Sequence, residues 1–285
     1  EVEAALNAKY NLDAPLYEQF FDYLGGVVKG DFGPSYQYRG KSVNDFIRNG
    51  FPVSAKLGVV TIIFVLLTAI PMGILAAVKN GKWQDMAIMA VATIGVTIPS
   101  FVIASVLIYI FSFRLNWLPT YGVDTWKGYI LPVIALGGYS ISYIARLMRS
   151  SLLEVMGQDY IRTARAKGLS ERQVIWKHAL KNALIPVITV VGMQIGMIMA
   201  GSVVVEAIFN IPGLGSLMMT AINNKDYPVI QGSVLFISLF VSLMNLLVDL
   251  IYGFVDPRIK AQYGSRKKKQ PHKAEQPDLK EEEVA

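Results

Sequence analysis

Five long apolar stretches constrain this chain more than any other feature of its sequence. They run from Leu57 to Val78, Met86 to Phe113, Gly128 to Leu147, Ala183 to Phe209 and Val229 to Val255. A bilayer with a hydrocarbon core of about 30 Å needs about 20 apolar residues per spanning helix, and each stretch meets this length with almost no charge. Because helices satisfy their own backbone groups without water, the pattern predicts an all-α polytopic membrane protein with five transmembrane helices.

The charge and residue composition exclude several functions. The formal net charge is +6 and the mean hydropathy is +0.41. The basic residues lie between the apolar stretches, as in membrane proteins, so nucleic-acid binding is not expected. The chain has no Cys, and its two histidines, His178 and His272, are far apart in the sequence. Disulfides, zinc–thiolate sites and metal catalysis are therefore not expected.

The distribution of Lys and Arg predicts the orientation in the membrane. Alternate connections between spans share a side, and one side holds 18 of the 27 basic residues. The more basic side is expected to be cytoplasmic. This assigns an external segment to residues 1–56, a transmembrane domain to 57–260 and a disordered cytoplasmic tail to 261–285, whose basic residues 266–269 would contact membrane lipid. An external N-terminus implies an earlier span, so we expect six helices in the complete subunit.

Prolines and glycines mark further features of the spans. Pro71, Pro99, Pro132 and Pro186 interrupt apolar stretches and predict kinks. Gly192 and Gly196 stand four residues apart, which predicts close packing against a helix that the sequence does not identify.

The most informative connection is the loop 146–182, on the predicted cytoplasmic side. Its residues 159–180 read as two short helices around Gly168, with Ser170 as the N-cap of the second. Small Ala164 and Ala166 would allow a partner to approach closely. Apolar Val174, Ile175, Trp176, Ala179 and Leu180 leave an apolar surface that needs a partner or the membrane interface.

This loop resembles the coupling loop of permease subunits in binding-protein-dependent ATP-binding-cassette (ABC) importers. That family pattern is Glu-Ala-Ala, three residues, Gly, nine residues, Ile, one residue and Leu-Pro. Aligned on Gly168, this chain has Arg162-Thr163-Ala164 at the first three positions, His178 in place of Ile, and Leu180-Lys181 in place of Leu-Pro. These departures resemble the peptide-permease branch, whose loop is similar to Arg-Thr-Ala-Arg-Ala-Lys-Gly-Leu. The alternative is a basic, solvated loop without a partner.

The resemblance implies an ATPase-coupling role for Arg162, Thr163, Ala164, Arg165, Ala166, Lys167, Gly168, Leu169 and His178. We call residues 146–182 the coupling loop. The external residues 29–35, 42–45 and 51–55 look like those of oligopeptide and dipeptide permeases, the B-type membrane subunit in particular. With Asp256-Pro257-Arg258, the resemblance extends from Lys9 to Ile259.

A Pro-Gly-x-Gly break follows the fourth apolar stretch, at residues 212–215. It resembles the outer gate of the same family, and we call residues 206–228 the gate segment. The gate or translocation residues implied are Glu206, Ile208, Phe209, Pro212, Gly213 and Gly215. Local physics alone favours a turn that ends a helix, and the resemblance of the coupling loop favours the gate instead. Glu206 and Asp249 are acids in or near apolar spans, and each is a candidate for the pathway, a subunit contact or a structural hydrogen bond.

The resemblance implies a permease subunit that translocates oligopeptides by alternating access across the bacterial cytoplasmic membrane. Its implied partners are a second permease subunit, two ATP-binding subunits that hold ATP and Mg, and an extracytoplasmic peptide-binding protein. Gly40-Lys41-Ser42 lacks the earlier Gly of a phosphate-binding loop, since Ser35 stands there, so this chain is not expected to bind ATP or to be an enzyme.

Two alternatives remain open at this point. The chain could be an autonomous secondary transporter or channel in which Glu206 and Asp249 carry protons or ions, although such a protein has no need of the coupling loop. Within the importer family, nickel or another small solute could replace the peptide. An intramembrane protease is disfavoured, because the spans contain no His or Cys.

Overall fold

The computed structural model describes residues 13 to 255, and the side chains of residues 200, 201, 249 and 251–255 are not included in that description. Its helices are α1 (Leu16–Val28), α2 (Val43–Val78), α3 (Trp83–Thr97), α4 (Ser100–Leu107, with a π-helical continuation Ile108–Arg114), α5 (Trp126–Met156) and α6 (Asp159–Ala166). They are followed by α7 (Glu171–Gln173, π-helical Val174–Ala179 and Leu180–Ile208, in succession), α8 (Leu214–Asn223) and α9 (Tyr227–Val255).

The all-α membrane fold is confirmed. Residues 13 to 255 contain no β-strand beyond an isolated bridge between Pro34 and Ser42. Helices α2, α5, α7 and α9 are each long and apolar enough to cross a membrane, and the bent pair of α3 and α4 gives a fifth crossing if it counts as one span. The predicted tail 261–285 and the side chain of Asp249 lie outside the described residues, so the expectations for them remain predictions.

The second predicted span is not one straight helix. Its two halves, α3 and α4, are bent by 107° with respect to each other. Ile98 is extended, with φ −88° and ψ 125°, because the ring of the following Pro99 disfavours a helical conformation there. Pro71, Pro132 and Pro186 instead lie inside helices that continue through them. Only the proline at residue 99 therefore divides a span.

Helix α2 begins well before the first apolar stretch. Ser42 caps it in a capping box, in which the Asp45 N–H donates to Ser42 Oγ and the Ser42 N–H donates to Asp45 Oδ2. The helix then runs for 36 residues without interruption. The last part of the segment assigned to the external side is thus the first part of this helix.

Helix α5 is the centre of the bundle, and it contacts α2, α3, α4 and α7. Small residues allow the close approach of these helices. A Cβ atom on Gly73 of α2 would lie 2.6 Å from the Ala145 carbonyl oxygen and from Met148 Cβ of α5. Gly192 and Gly196 of α7 likewise face Val248 and Val241 of α9, which identifies the neighbour that the sequence left open.

The two ends of the bundle carry different segments. One end carries the coupling loop, and we call it the coupling side. The other end carries the gate segment with α8, and we call it the gate side. Helix α8 is a short apolar helix that packs against α2, α7 and α9 on the gate side.

Candidate coupling and gating sites

One face of α6 is buried against the chain itself. Ile161 is fully buried and Ala164 is 6% exposed. Both belong to an apolar cluster with residues of α5 and α7, which include Met148, Leu152, Val174, Ala179 and Ala183. Ala164 therefore allows the close approach of this chain's own helices, whereas Ala166 is exposed and remains available to a partner.

The reversal after α6 follows the sequence prediction. Gly168 has φ +77°, a left-handed conformation that favours glycine. Ser170 caps the next helix in a capping box with Gln173: the Gln173 N–H donates to Ser170 Oγ, and the Ser170 N–H donates to Gln173 Oε1. The prediction of a short second helix is wrong, because this helix continues into the membrane span as α7.

The expected apolar surface of the coupling loop is largely absent. Val174 and Ala179 are fully buried and Ile175 is 8% exposed, because the start of α7 packs on α5 and α6. Trp176 alone of the large residues in this group is clearly exposed, at 58%. Beside it, Leu180 and several α2 residues line an apolar groove.

The exposed face of the coupling loop is basic. Arg162, Thr163, Arg165, Ala166, Lys167, Gly168 and His178 are all exposed, and Leu169 is half-buried in the apolar cluster. Arg165 Nε lies 2.7 Å from Glu171 Oε1, and Arg162 Nη1 lies 3.7 Å from Asp159 Oδ1. The arrangement is a helix anchored by one apolar face, with cations and small residues on the other.

The gate segment is organised around the carboxylate of Glu206, which is fully buried. Glu206 Oε2 accepts hydrogen bonds from the N–H groups of Gly215 (2.8 Å) and Ser216 (3.2 Å), in the first turn of α8. The preceding N–H, of Leu214, donates to Ser54 Oγ of α2 at 2.8 Å. These first N–H groups have no partner within their own helix, so side chains of α7 and α2 together cap α8. Glu206 Oε1 has no hydrogen-bond partner among the described residues.

Two glycines make this close arrangement possible. A Cβ atom on Gly213 would collide with the Glu206 carboxylate and would lie 2.6 Å from Ser54 Oγ. A Cβ atom on Gly215 would lie 2.5 Å from Val203 Cα.

Of the other predicted gate residues, Phe209 is buried, Ile208 is half-buried and Pro212 is exposed. The Phe209 carbonyl also accepts a hydrogen bond from the Gly122 N–H, in the loop before α5.

Two polar clusters were missed in the sequence. Arg149 of α5 binds Asp85 of α3 through two hydrogen bonds of 2.6 and 2.7 Å, and its Nη2 also donates to Asn80 Oδ1. On the gate side, buried Asp226 accepts hydrogen bonds from the Ser35 hydroxyl and the Tyr36 N–H. The sequence could have indicated the first cluster, because it places an acid and a base at the same end of neighbouring spans. No nearby residue pattern predicts the second cluster.

A family profile described as "Binding-protein-dependent transport system inner membrane component" matches residues 69–261, which is more than half of the chain. The chain belongs to this family. It is a permease subunit of a binding-protein-dependent ABC importer, and it is located in the bacterial inner membrane.

Relatives of this permease cover most of its length. It is 45% identical over 262 residues to the dipeptide transport system permease protein DppB of Bacillus subtilis (strain 168), covering 91% of this chain and 84% of the relative. It is 42% identical over 260 residues to the glutathione transport system permease protein GsiC of Escherichia coli (strain K12), covering 91% and 85%. The peptide-permease branch expected from the coupling loop is thus confirmed.

Solved structures support the fold. An inward-facing conformation of the MetNI methionine ABC transporter matches with a TM-score of 0.63 at 18% identity, covering 74% of this chain and 96% of that one. An amino acid ABC transporter matches with a TM-score of 0.54 at 15% identity, covering 75% and 94%. The family match over residues 69–261, and not these structures, is what favours an importer permease over an autonomous transporter or channel.

Proposed function

We propose that this permease translocates small peptides by alternating access, together with a second permease subunit, two ATP-binding subunits and an extracytoplasmic peptide-binding protein. The names of the two relatives support a peptide substrate, since a dipeptide and glutathione are both short peptides. ATP and Mg would be bound in the ATP-binding subunits. The proposal rests mainly on the coupling loop. One face of α6 packs in the apolar cluster of the chain, and the opposite face exposes basic residues.

In this proposal the coupling face consists of the exposed residues Arg162, Thr163, Arg165, Ala166, Lys167, Gly168 and His178. Ala164 and Leu169 hold α6 in place by packing within the chain. Because α6 packs on both α5 and α7, a displacement of α6 by an ATP-binding subunit would move both spans together. A tightly packed helix pair transmits such a movement as a unit.

The gate segment would close the opposite end of the pathway. Glu206, Gly213 and Gly215 tie α8 to the end of α7, and Ser54 ties it to α2. Ile208, Phe209 and Pro212 lie between these attachments. Movement of α7 from the coupling side would therefore reach α8 directly, which supports a gating role for this segment.

The experiment that tests the proposal reverses one charge on the coupling face. In proteoliposomes that contain the complete complex, we expect Lys167→Glu to reduce ATP-dependent uptake of a radiolabelled dipeptide more than tenfold and to reduce copurification of the ATP-binding subunits. Lys82→Glu is the matched control, because Lys82 is also exposed on the coupling side but lies outside the coupling loop. Equal uptake and equal copurification in the two variants would contradict the coupling role.

A further inference from the structure

A cleft in the membrane-spanning part of the molecule carries polar side chains that no role described so far requires. Tyr139 and Tyr143 of α5 stack on each other, with ring centroids 6.3 Å apart and an interplanar angle of 9°. They are 42% and 39% exposed. Neighbouring α5 residues bind the adjacent helices, since Gly138 and Ser142 face α4 and α3, and Ser140 faces α7. The two tyrosines therefore project between the broken span and α7.

The walls of the cleft come from the chain break and from α7. Ser100, the first residue of α4 after Pro99, lines a depression of about 200 Å³ together with Tyr139 and Met197 of α7. Met197 and Met193 are 60% and 57% exposed. At the base of the depression, the Ser140 hydroxyl donates to Gln194 Oε1 at 2.9 Å, and both residues are buried. The 107° bend at Pro99 turns α4 away from the line of α3, and the cleft lies beside this bend.

The cleft lies at the depth of the hydrocarbon core. Tyr139 follows Trp126, at the start of α5, by about 20 Å along the helix, at 1.5 Å per residue. Tyr139 precedes Arg146, the first basic residue of α5 towards the coupling side, by about 10 Å on the same scale, whereas Tyr143 precedes it by about one helical turn. Tyr139 is therefore too deep to be an interfacial anchor, since such anchors lie at the level of the lipid headgroups.

The polar groups of the cleft do not match a lipid-facing surface. Within residues 13 to 255, neither tyrosine hydroxyl has a hydrogen-bond partner, and an unpaired hydroxyl in hydrocarbon is unfavourable. Other spans expose large aliphatic side chains, as at Leu67 of α2 and Leu239 and Leu243 of α9. A surface with free hydroxyls at this depth normally faces a water-filled cavity or a polar ligand.

We infer that this cleft is a contact site for the peptide in transit, with the Tyr139 hydroxyl bonding to a peptide backbone group, Tyr143 stacking on the Tyr139 ring, and Met193 and Met197 packing against the peptide side chains. The inference rests on the proposed function. The cleft carries no charged side chain among the residues that line it, so it would recognise the backbone that all peptides share. Methionine side chains adapt their shape readily, which suits substrates of varied sequence.

The test uses the absence of Cys from this chain. Tyr139→Cys and Met197→Cys are each placed in the complete complex in proteoliposomes, with Leu67→Cys as a lipid-facing control, since Leu67 is 72% exposed. The probe is a charged methanethiosulfonate reagent, and labelling of this chain is followed by mass spectrometry with and without ATP and vanadate. We expect the two cleft variants to react at least tenfold faster than Leu67→Cys in one of these states, and excess trialanine to slow their reaction.

A hydroxyl deletion gives an independent measurement. Loss of one hydrogen bond in Tyr139→Phe is expected to raise the KM for trialanine uptake about threefold to tenfold. Tyr121→Phe, an exposed tyrosine in the loop before α5, should leave the KM unchanged. This control separates a contact with the peptide from a general effect of losing a hydroxyl.

Two results would overturn the inference in a complex that imports trialanine. One is labelling of Tyr139→Cys and Met197→Cys as slow as that of Leu67→Cys in every state. The other is labelling that trialanine does not slow, together with an unchanged KM in Tyr139→Phe. A complex that imports no trialanine under any condition would instead reject the proposed function, and with it the basis of this inference.

Discussion

The gate segment and the coupling loop are both irregular connections at the ends of α7, yet they are held in different ways. The gate segment is attached by buried polar contacts from two helices, with Glu206 and Ser54 capping α8 and glycines filling spaces that no Cβ could occupy. In the coupling loop, α6 is attached by apolar packing, and its caps and ion pairs are local and exposed.

The difference indicates what each segment tolerates. Buried polar contacts are specific in geometry, and removing one partner leaves the other unsatisfied. Apolar packing fixes the position of α6 while leaving its outer face free to vary. We therefore expect the gate segment to respond sharply to small changes, and the coupling loop to lose partner binding before it loses structure.

The largest expected effect is at the gate glycines. Gly213→Val would place a side chain against the Glu206 carboxylate and Ser54 Oγ, and we expect loss of folded, inserted complex. The measurement is the yield of monodisperse complex by size-exclusion chromatography.

Gly168→Ala in the coupling loop is the matched comparison, because a Cβ there meets nothing within 4 Å. Its strain is limited to the left-handed backbone, about 1–2 kcal/mol. Equal yields of Gly213→Val and Gly168→Ala would remove the contrast between the two segments.

The second effect separates capping from ion transport at Glu206. Glu206→Ala leaves the N–H groups of Gly215 and Ser216 without their acceptor, and we expect a loss of about 2–6 kcal/mol of stability, from about 1–3 kcal/mol for each of the two unsatisfied groups. Glu206→Gln keeps a carbonyl oxygen as acceptor and should retain most of the Tm and of the uptake. If Glu206→Gln abolished uptake with an unchanged Tm, a charge or proton at this position would be required.

The third prediction concerns the ion pair between Arg149 and buried Asp85 on the coupling side. Asp85→Ala removes the acceptor of the two Arg149 hydrogen bonds. We expect a loss of about 2 kcal/mol of stability. The reason is that the Arg149 side chain is only 27% exposed, so its guanidinium would be left partly buried without its acceptor. Thermal unfolding of the complex measures this effect.

The exchange Asp85→Arg with Arg149→Asp should recover part of the loss seen in either single variant. No recovery would mean that the pair contributes through its surroundings and not through the contact itself. The result therefore shows whether a polar contact between helices contributes to stability on the coupling side, as it does in the gate segment.

The smallest effect is expected at the exposed pair of the coupling loop. Arg165 and Glu171 are 39% and 61% exposed, and such pairs contribute about 0.2–1 kcal/mol. Glu171→Ala should therefore leave the Tm within the error of measurement and uptake near normal. A large loss of Tm would show that α6 depends on this pair more than on its apolar face.

The sequence by itself determined the features that depend on one element or on chemistry close in the chain. The apolar lengths gave the membrane-spanning helices, Gly168 and Ser170 gave the reversal in the coupling loop, and the pattern around Gly168 pointed to the peptide-permease branch. Each of these signals is local, because helix length, turn conformation and capping depend on neighbouring residues.

Only the tertiary structure decided which distant residues meet. Ser54 caps a helix 160 positions later, Arg149 pairs with an acid 64 positions earlier, and Asp226 binds a serine 191 positions away. The same holds for which proline divides a span and which small residues face a partner. These outcomes depend on the rotation and depth of each helix against its neighbours, and apolar spans with little periodicity leave that rotation open until they pack.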